Sequence, residues 1–115
     1  MPLYLIQAAY TPEAWAALAR SPENRAEPAS ALAKKLGGKL VDLYYCFGEY
    51  DAVVLVDLPD DAMATAFVIA AGSAGHIKAT RTTRLMGVTE TVEAMQKAGE
   101  VTYAPPKGMS ERSRA

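Results

Sequence analysis

Two apolar segments that meet at a glycine constrain the fold of this chain more than any other feature. Residues 39–47 (KLVDLYYCF) and 50–58 (YDAVVLVDL) are rich in β-branched and aromatic side chains, and only Gly48-Glu49 separates them. Segments of this length and composition are typical of strands, and a two-residue connection with glycine first fits a type II′ turn. The sequence therefore predicts an antiparallel hairpin in which Phe47 pairs with Tyr50.

This register assigns the side chains of the hairpin to two faces, because successive residues of a strand point to opposite sides. One face is almost wholly apolar and carries Val41, Leu43, Tyr45, Phe47, Tyr50, Ala52, Val54 and Val56. The other face mixes polar and apolar side chains: Asp42, Tyr44, Cys46, Asp51, Val53, Leu55 and Asp57. The mixed face is where we look for functional groups.

The rest of the chain alternates between strand and helix patterns. Strands are predicted over 3–10 and 76–86, and helices over 12–19, about 22–36, about 60–73 and about 89–98. Thr11-Pro12-Glu13 and Ser21-Pro22-Glu23 each offer an N-cap hydroxyl, a proline for the first helical position and an acid for the first turn. Pro28 should kink the second helix or delay its start, and Gly37-Gly38 should end it. The expected buried stripe of the first two helices is Trp15, Leu18, Ala29, Leu32, Ala33 and Leu36.

The order of these elements, β-α-β-β-α-β and then a last helix, predicts an α+β fold of the ferredoxin-like type. Such a fold is a four-stranded antiparallel sheet with both crossover helices on one face. The predicted domain covers residues 1–99, and residues 100–115 form a polar C-terminal tail. Because the second face of the sheet lacks helices, we expect a second copy of the chain to cover it, in a homodimer or a higher homo-oligomer.

Composition excludes several classes of function. The chain has 115 residues, of which 50% are hydrophobic and 22% charged, and its formal net charge is −1. Nucleic acid is not an expected partner, because phosphate binding requires a concentrated basic surface. Cys46 is the sole cysteine, so an intramolecular disulfide is impossible. We expect no metal, no cofactor and no membrane segment, and the default location is the cytoplasm.

Five residues are candidates for a ligand site near the hairpin: Tyr44, Tyr50, Asp51, His76 and Arg81. Asp51 either accepts hydrogen bonds from backbone N–H groups of the turn or points into a cavity. Tyr50 either pairs with Phe47 across the strands or forms a pocket wall.

His76 and Arg81 allow similar alternatives. His76 is the only histidine, so it either lies exposed at a junction or carries any imidazole proton transfer. Arg81 either protects an edge strand or binds a carboxylate or an anionic ligand. Cys46 fits a small buried hydrophobe better than a nucleophile.

The residues Gly48-Glu49-Tyr50-Asp51, followed by the apolar run Val53–Val56, resemble the signature of the GYD domain family of small bacterial proteins. The resemblance extends over most of residues 2–90. It implies a ferredoxin-like fold and a dimeric α/β-barrel arrangement. The family has no established activity, so the resemblance implies no catalytic residues.

Three functions are compatible with the sequence. The first is a small dimeric protein that binds an apolar or aromatic metabolite in a pocket near Gly48–Asp51. The second is a cofactor-free enzyme of the isomerase or monooxygenase type, which rests on fold analogy alone. The third is a structural or interaction dimer whose hairpin forms the seam between subunits.

Overall fold

A computed structural model describes residues 1–109. The chain divides into two compact units, Met1–Leu85 and the residues from Met86 onward. The first unit contains β1 (Leu3–Tyr10), α1 (Pro12–Arg20), α2 (Ala26–Lys35), β2 (Lys39–Tyr45), β3 (Ala52–Asp57), α3 (Asp61–Ser73) and β4 (Ile77–Leu85). The second contains α4 (Val88–Gly99).

The four strands form one antiparallel sheet in the order β2-β3-β1-β4. This is the strand order of a ferredoxin-like fold, and it confirms the predicted fold class. The core lies between the sheet and helices α2 and α3. Its buried members are Tyr4, Ile6, Ala33, Val54, Val56, Leu58, Ala64 and Phe67.

The hairpin keeps the predicted register near its tip, but the predicted two-residue turn is wrong. Tyr45 pairs with Ala52 as the register requires, and both strands end there. The backbone N–H of Cys46 donates to the carbonyl of Asp51 at 2.8 Å, and the four residues between them form an open tip. Gly48 has φ +116° in this tip, a conformation that side-chain-bearing residues rarely adopt.

A bulge in β2 corrects the predicted face of Val41. The register shifts between Leu40 and Asp42, so Leu40 lies opposite Val56 and packs against the core, while Val41 is exposed. A bulge inserts one residue into one strand, and the inside-outside alternation changes phase there. Phe47, also predicted on the apolar face, is fully exposed at the tip.

Side-chain hydrogen bonds accompany the starts of the first two helices. Helix α1 begins where predicted, and α2 begins later than predicted. Thr11 caps α1, since its Oγ1 accepts from the Ala14 N–H at 3.1 Å. Helix α2 begins at Ala26 and not near residue 22, and Asn24 Oδ1 accepts from the Ala26 N–H at 2.9 Å. Pro28 is thereby the third helical residue, where the missing N–H has no intrahelical acceptor to lose.

The buried stripe predicted for the first two helices is confirmed in α2 only. Ala33 is fully buried, and Ala29, Leu32 and Leu36 pack against the core. Helix α1 has no buried residue, and Trp15 remains 42% exposed.

At the end of α2, Gly38 approaches β3 so closely that an added Cβ would lie 2.0 Å from the carbonyl oxygen of Asp57. A side chain at this position would push the helix end and the strand apart.

The second unit contains α4. It begins one residue earlier than predicted, after Gly87 and without a side-chain cap. Residues 110–115, the last part of the predicted tail, lie outside the described residues. None of the described helices is long and apolar enough to cross a membrane.

Candidate ligand-binding cavity

A cavity of about 160 Å³ lies between the sheet and helices α2 and α3. Its walls are almost entirely apolar and are formed by Ile6, Ala8, Leu43, Ala52 and Val54 from the sheet and by Pro28, Ala29, Leu32, Phe67, Val68 and Ala71 from the helices. All of these residues belong to the first unit, so one protomer supplies the whole cavity.

Alanines account for the space. Ala8 of β1 pairs with Ala52 of β3, and both point toward the helices. Ala29 and Ala71 line the cavity from the helix layer. Four short side chains converge where larger ones would interdigitate, so the two layers enclose a volume that they do not fill.

The mouth of the cavity is defined by residues that it shares with a surface groove. Arg25, Ala74 and His76 line both the cavity and a groove along α1. A molecule moving from the groove into the cavity therefore passes a guanidinium and an imidazole. Arg25 comes directly before α2, and His76 comes directly before β4, so both lie on short connections at one end of the fold.

Tyr10 is the centre of an aromatic cluster at this mouth. Its ring centroid lies 5.0 Å from that of Trp15, 5.8 Å from that of His76 and 6.2 Å from that of Tyr45. The ring is 5% exposed and lines the cavity. Burial, followed by the hydrogen bond with Tyr45, raises the pKa of Tyr10, while Arg25 opposes the shift. The hydroxyl is therefore a neutral hydrogen-bonding group.

The imidazole of His76 is held in its neutral form near pH 7. Burial lowers its pKa, and the positive charge of Arg25 lowers it further. A neutral imidazole has one donor and one acceptor nitrogen. His76 can therefore donate to a ligand at the mouth or accept a proton from it.

Asp51 holds the end of β1 in place. Its carboxylate Oδ2 accepts from the backbone N–H of Tyr10 at 2.8 Å, and its own N–H donates to the carbonyl of Ala8 at 2.8 Å. Asp51 is not among the residues that line the cavity. Asp51 contacts the site through the backbone of Tyr10. Its carboxylate was expected to accept from N–H groups of the turn, but it accepts from the end of β1 instead.

The structure does not bring the five candidate residues together. His76 lines the cavity, and Tyr50 lies in the hairpin tip, where its carbonyl accepts from the Cys46 Sγ at 3.2 Å. Tyr44 pairs with Val53, and Arg81 pairs with Gln7, which places both on the face away from α2 and α3. Tyr44 is 54% exposed, and a hydrogen bond with Asp42 raises its pKa.

Sequence reasoning missed Tyr10, Arg25 and Tyr45 as site residues. Tyr10 reads as the last residue of an apolar strand, and Arg25 falls in a short break without periodicity. The sequence contained one signal for this end of the fold. The N-cap signatures that begin at Thr11 and Ser21 enclose a helix that is too short to bury a face of its own. Within residues 1–109, no group of three or more histidine, cysteine and acidic side chains could hold a metal ion.

The fold and the cavity define a ferredoxin-like α+β protein with a ligand-sized space between its helices and its sheet. The chain belongs to the GYD domain family, whose model matches residues 4–95. This confirms the family that the hairpin residues Gly48, Tyr50 and Asp51 indicated.

Three solved structures are similar to this chain at low identity. MtbAldR is 18% identical with a TM-score of 0.52, over 75% of this chain and 52% of that one, so the chain spans about half the length of MtbAldR. TTHA0845 from Thermus thermophilus is 18% identical with a TM-score of 0.47, over 76% and 96% of the two chains. PA3566 from Pseudomonas aeruginosa is 17% identical with a TM-score of 0.47, over 76% and 94%. The likeness to MtbAldR concerns the fold alone, and no curated protein matches the chain.

Proposed function

We propose that this protein binds a small, largely apolar or aromatic molecule in the cavity between the sheet and helices α2 and α3. The observation that carries the proposal is an apolar cavity with a few polar groups in its lining, which is the usual form of a small-molecule site. Those polar groups are Tyr10, Arg25, His76 and Thr80. Of the five ligand-binding residues expected from the sequence, only His76 is among them.

The size of the cavity limits the ligand to about one ring. Its volume of about 160 Å³ is close to that of an engineered cavity of about 150 Å³ in another protein, which binds benzene. A fused-ring or longer-chain ligand would have to extend through the mouth or displace α2 or α3 from the sheet.

Fluorescence can report binding, because Trp15 is the only tryptophan and its ring packs at a tilt against that of Tyr10 at the mouth. We expect benzyl alcohol and phenylacetate to change Trp15 emission with saturation, and to shift the NMR signals of cavity residues. Ala71→Leu should abolish both responses by filling the cavity. Ala70→Leu is the matched control, because Ala70 is exposed on the same helix and does not line the cavity.

Saturable binding that Ala71→Leu removes and Ala70→Leu leaves intact supports the proposal. Absence of binding at millimolar concentration of every single-ring probe contradicts it. Binding that is unchanged in Ala71→Leu also contradicts it, because the ligand would then occupy another place.

The uncovered face of the sheet supports a homodimer of the dimeric α/β-barrel type. Within residues 1–85, helices α2 and α3 cover one face only, and the other carries five partly exposed leucine and valine side chains: Leu3, Leu5, Val53, Leu55 and Leu85. We call this the open face. A contiguous apolar patch of this kind is commonly an interface, and a second copy presents a matching patch under two-fold symmetry.

The dimer is tested by sedimentation. We expect the wild-type protein to sediment as a dimer at micromolar concentration, and Leu55→Glu on the open face to sediment as a monomer. Ile69→Glu is the control, because Ile69 is an exposed apolar residue of α3. A monomeric wild type, or equal dissociation by both variants, would count against the open face as the interface.

A proton-transfer activity is the second candidate, favoured by the neutral imidazole of His76 beside Arg25. The imidazole would accept a proton from the carbon next to a carbonyl group, and the guanidinium would stabilise the enolate oxygen. We expect the wild type to speed exchange of the C3 protons of phenylpyruvate with D₂O, and His76→Gln to return the rate to that of buffer. Equal rates for both proteins would remove this candidate.

A further inference from the structure

We propose that the ligand is a small carboxylate, with one aromatic ring or a branched aliphatic body, whose anionic group binds Arg25 at the cavity mouth. This inference rests on the ligand-binding function proposed above and names the chemistry of the ligand.

The charge of the cavity favours an anion. Arg25 is the one permanently charged side chain in the cavity lining, and no carboxylate lines the cavity in the described part of the chain. The first turn of α2, with Pro28 and Ala29 in the wall, adds the positive end of a helix dipole. A carboxylate entering this mouth meets positive potential from both sources.

Arg25 has hydrogen-bonding capacity left for a ligand. One terminal nitrogen of its guanidinium binds the carboxylate of Glu23, an ion pair in which Glu23 is 52% exposed. Guanidinium carries five N–H donors in a planar fork, so one acceptor does not exhaust it. Because Glu23 is 52% exposed, water can solvate its carboxylate when a ligand carboxylate takes its place on Arg25.

The neighbours of Arg25 suit a carboxylate better than a phosphate. The Tyr10 hydroxyl and the neutral His76 ring can each donate one hydrogen bond, and Arg25 supplies the only full positive charge among the residues that line the cavity. A monoanion is balanced by that one charge. A phosphate dianion would keep a net negative charge in a half-enclosed apolar site, which is unfavourable without a second cation.

Two features show that Arg25 acts on this mouth and not only on solvent. Arg25 lines the cavity together with Tyr10 and His76, and its charge opposes the raised pKa of Tyr10 and contributes to the lowered pKa of His76. Its side chain is 27% exposed, so most of it is inside the fold. The electrostatic effect of Arg25 is therefore only partly screened by water.

The test compares phenylacetate with phenylacetamide, which has the same shape and no charge. We expect phenylacetate to bind the wild-type protein at least about tenfold more tightly, as a charge-assisted pair of hydrogen bonds implies. Arg25→Gln should remove this preference, and Arg25→Lys should restore part of it. Arg84→Gln is the control, because Arg84 also loses an ion pair but lies in the groove beside Tyr4, away from the cavity.

The outcomes separate the two proposals. A preference for the acid that disappears in Arg25→Gln and persists in Arg84→Gln supports the inference. Equal affinity of the two probes, or a preference that survives in Arg25→Gln, overturns it and leaves the ligand-binding function standing. Binding of neither probe overturns the inference together with the proposed function. Circular dichroism establishes that each variant is folded before it is titrated.

Discussion

The two ends of the helix–sheet layer use a tyrosine of β1 in opposite ways. At one end, which we call the closed end, Tyr4 is buried among Val56 and Leu58, and its hydroxyl donates to Asp61 Oδ1 at 2.6 Å. At the other, the mouth end, Tyr10 is equally buried, but alanines surround the space before it and no carboxylate lines that space in the described part of the chain.

The difference shows where the fold is complete by itself. Leu58 and Val56 have no exposed surface, and Asp61 satisfies the Tyr4 hydroxyl. The mouth end instead combines unfilled volume with Arg25 and His76. A single β-strand thus connects a packed region to one that has room and charge for another molecule.

Loss of packing at the closed end should have the largest effect. Leu58→Ala is expected to lower the free energy of unfolding by about 2 to 5 kcal/mol, because a fully buried leucine leaves a cavity. Ala71→Leu at the mouth end should change it by less than about 1.5 kcal/mol, since the added atoms enter existing space. Urea denaturation measures both. Similar losses in the two variants would mean that the ends do not differ in packing.

The frame of the mouth end is tested at Asp51. Asp51→Ala should cost about 1 to 3 kcal/mol of unfolding free energy, because the N–H of Tyr10 loses its acceptor. Asp51→Asn should cost less, since an amide oxygen can still accept.

Asp42→Ala is the matched control for Asp51. The Asp42 carboxylate accepts only from the adjacent, exposed N–H of Leu43 among backbone groups in the described residues, and we expect a change below about 0.5 kcal/mol. Equal effects at Asp42 and Asp51 would contradict the role of Asp51 in holding β1.

The two tyrosine hydroxyls should differ by a smaller amount. Tyr4→Phe removes a hydrogen bond to a carboxylate, and we expect a loss of about 1 kcal/mol or slightly more. Tyr10→Phe should cost less, because Tyr45 is 51% exposed and can bond to water instead. Thermal or urea denaturation of both variants gives the comparison, and a larger loss for Tyr10→Phe would reverse it.

The smallest expected effect is on the pKa of His76 at the mouth end. NMR titration should place the pKa of His76 below its ordinary value of about 6.5, because of burial and then the charge of Arg25. Arg25→Gln should move that midpoint upward.

The lowered pKa of His76 determines the direction in which protein stability changes with pH. The folded state binds its proton less readily than the unfolded state, so His76 contributes stability above about pH 6.5 that is lost as pH falls through the folded midpoint. A midpoint above 6.5 in the wild type, or one that Arg25→Gln leaves unchanged, would contradict the electrostatic description of the mouth.

Local chemistry made most of the fold predictable. The strand patterns, the Thr11-Pro12 start of α1 and the stop at Gly37 each depend on residues adjacent in sequence, and the structure contains all of them. The start of α2 was missed because the more obvious Ser21-Pro22 signature does not begin the helix, which starts after a turn in which Asn24 Oδ1 accepts from the Ala26 N–H. The bulge at Val41 could not be predicted, because it depends on how β2 meets β3 and leaves no mark in the residue pattern.

The site was less predictable, because it is assembled by packing between distant segments. Tyr10, Arg25 and His76 come from a strand end, a break between helices and a turn, and no spacing rule joins them. His76 was predicted as a candidate only because it is the single histidine of the chain and therefore its only imidazole. Tyr44 lies on the mixed face beside Val53 as predicted, but that face and Arg81 are on the side of the sheet away from the helices, so neither residue lines the cavity.

The position of the cavity on the helix side of the sheet determines how ligand occupancy relates to assembly. If two copies join through the open face, their cavities point outward on opposite sides of the pair. Each subunit then binds its ligand independently, so we expect one molecule per chain and a hyperbolic binding curve. Dissociation of the dimer should leave the ligand affinity unchanged. Leu55→Glu would thus produce a monomer that still binds, which separates this protein from one whose pocket is completed by its partner.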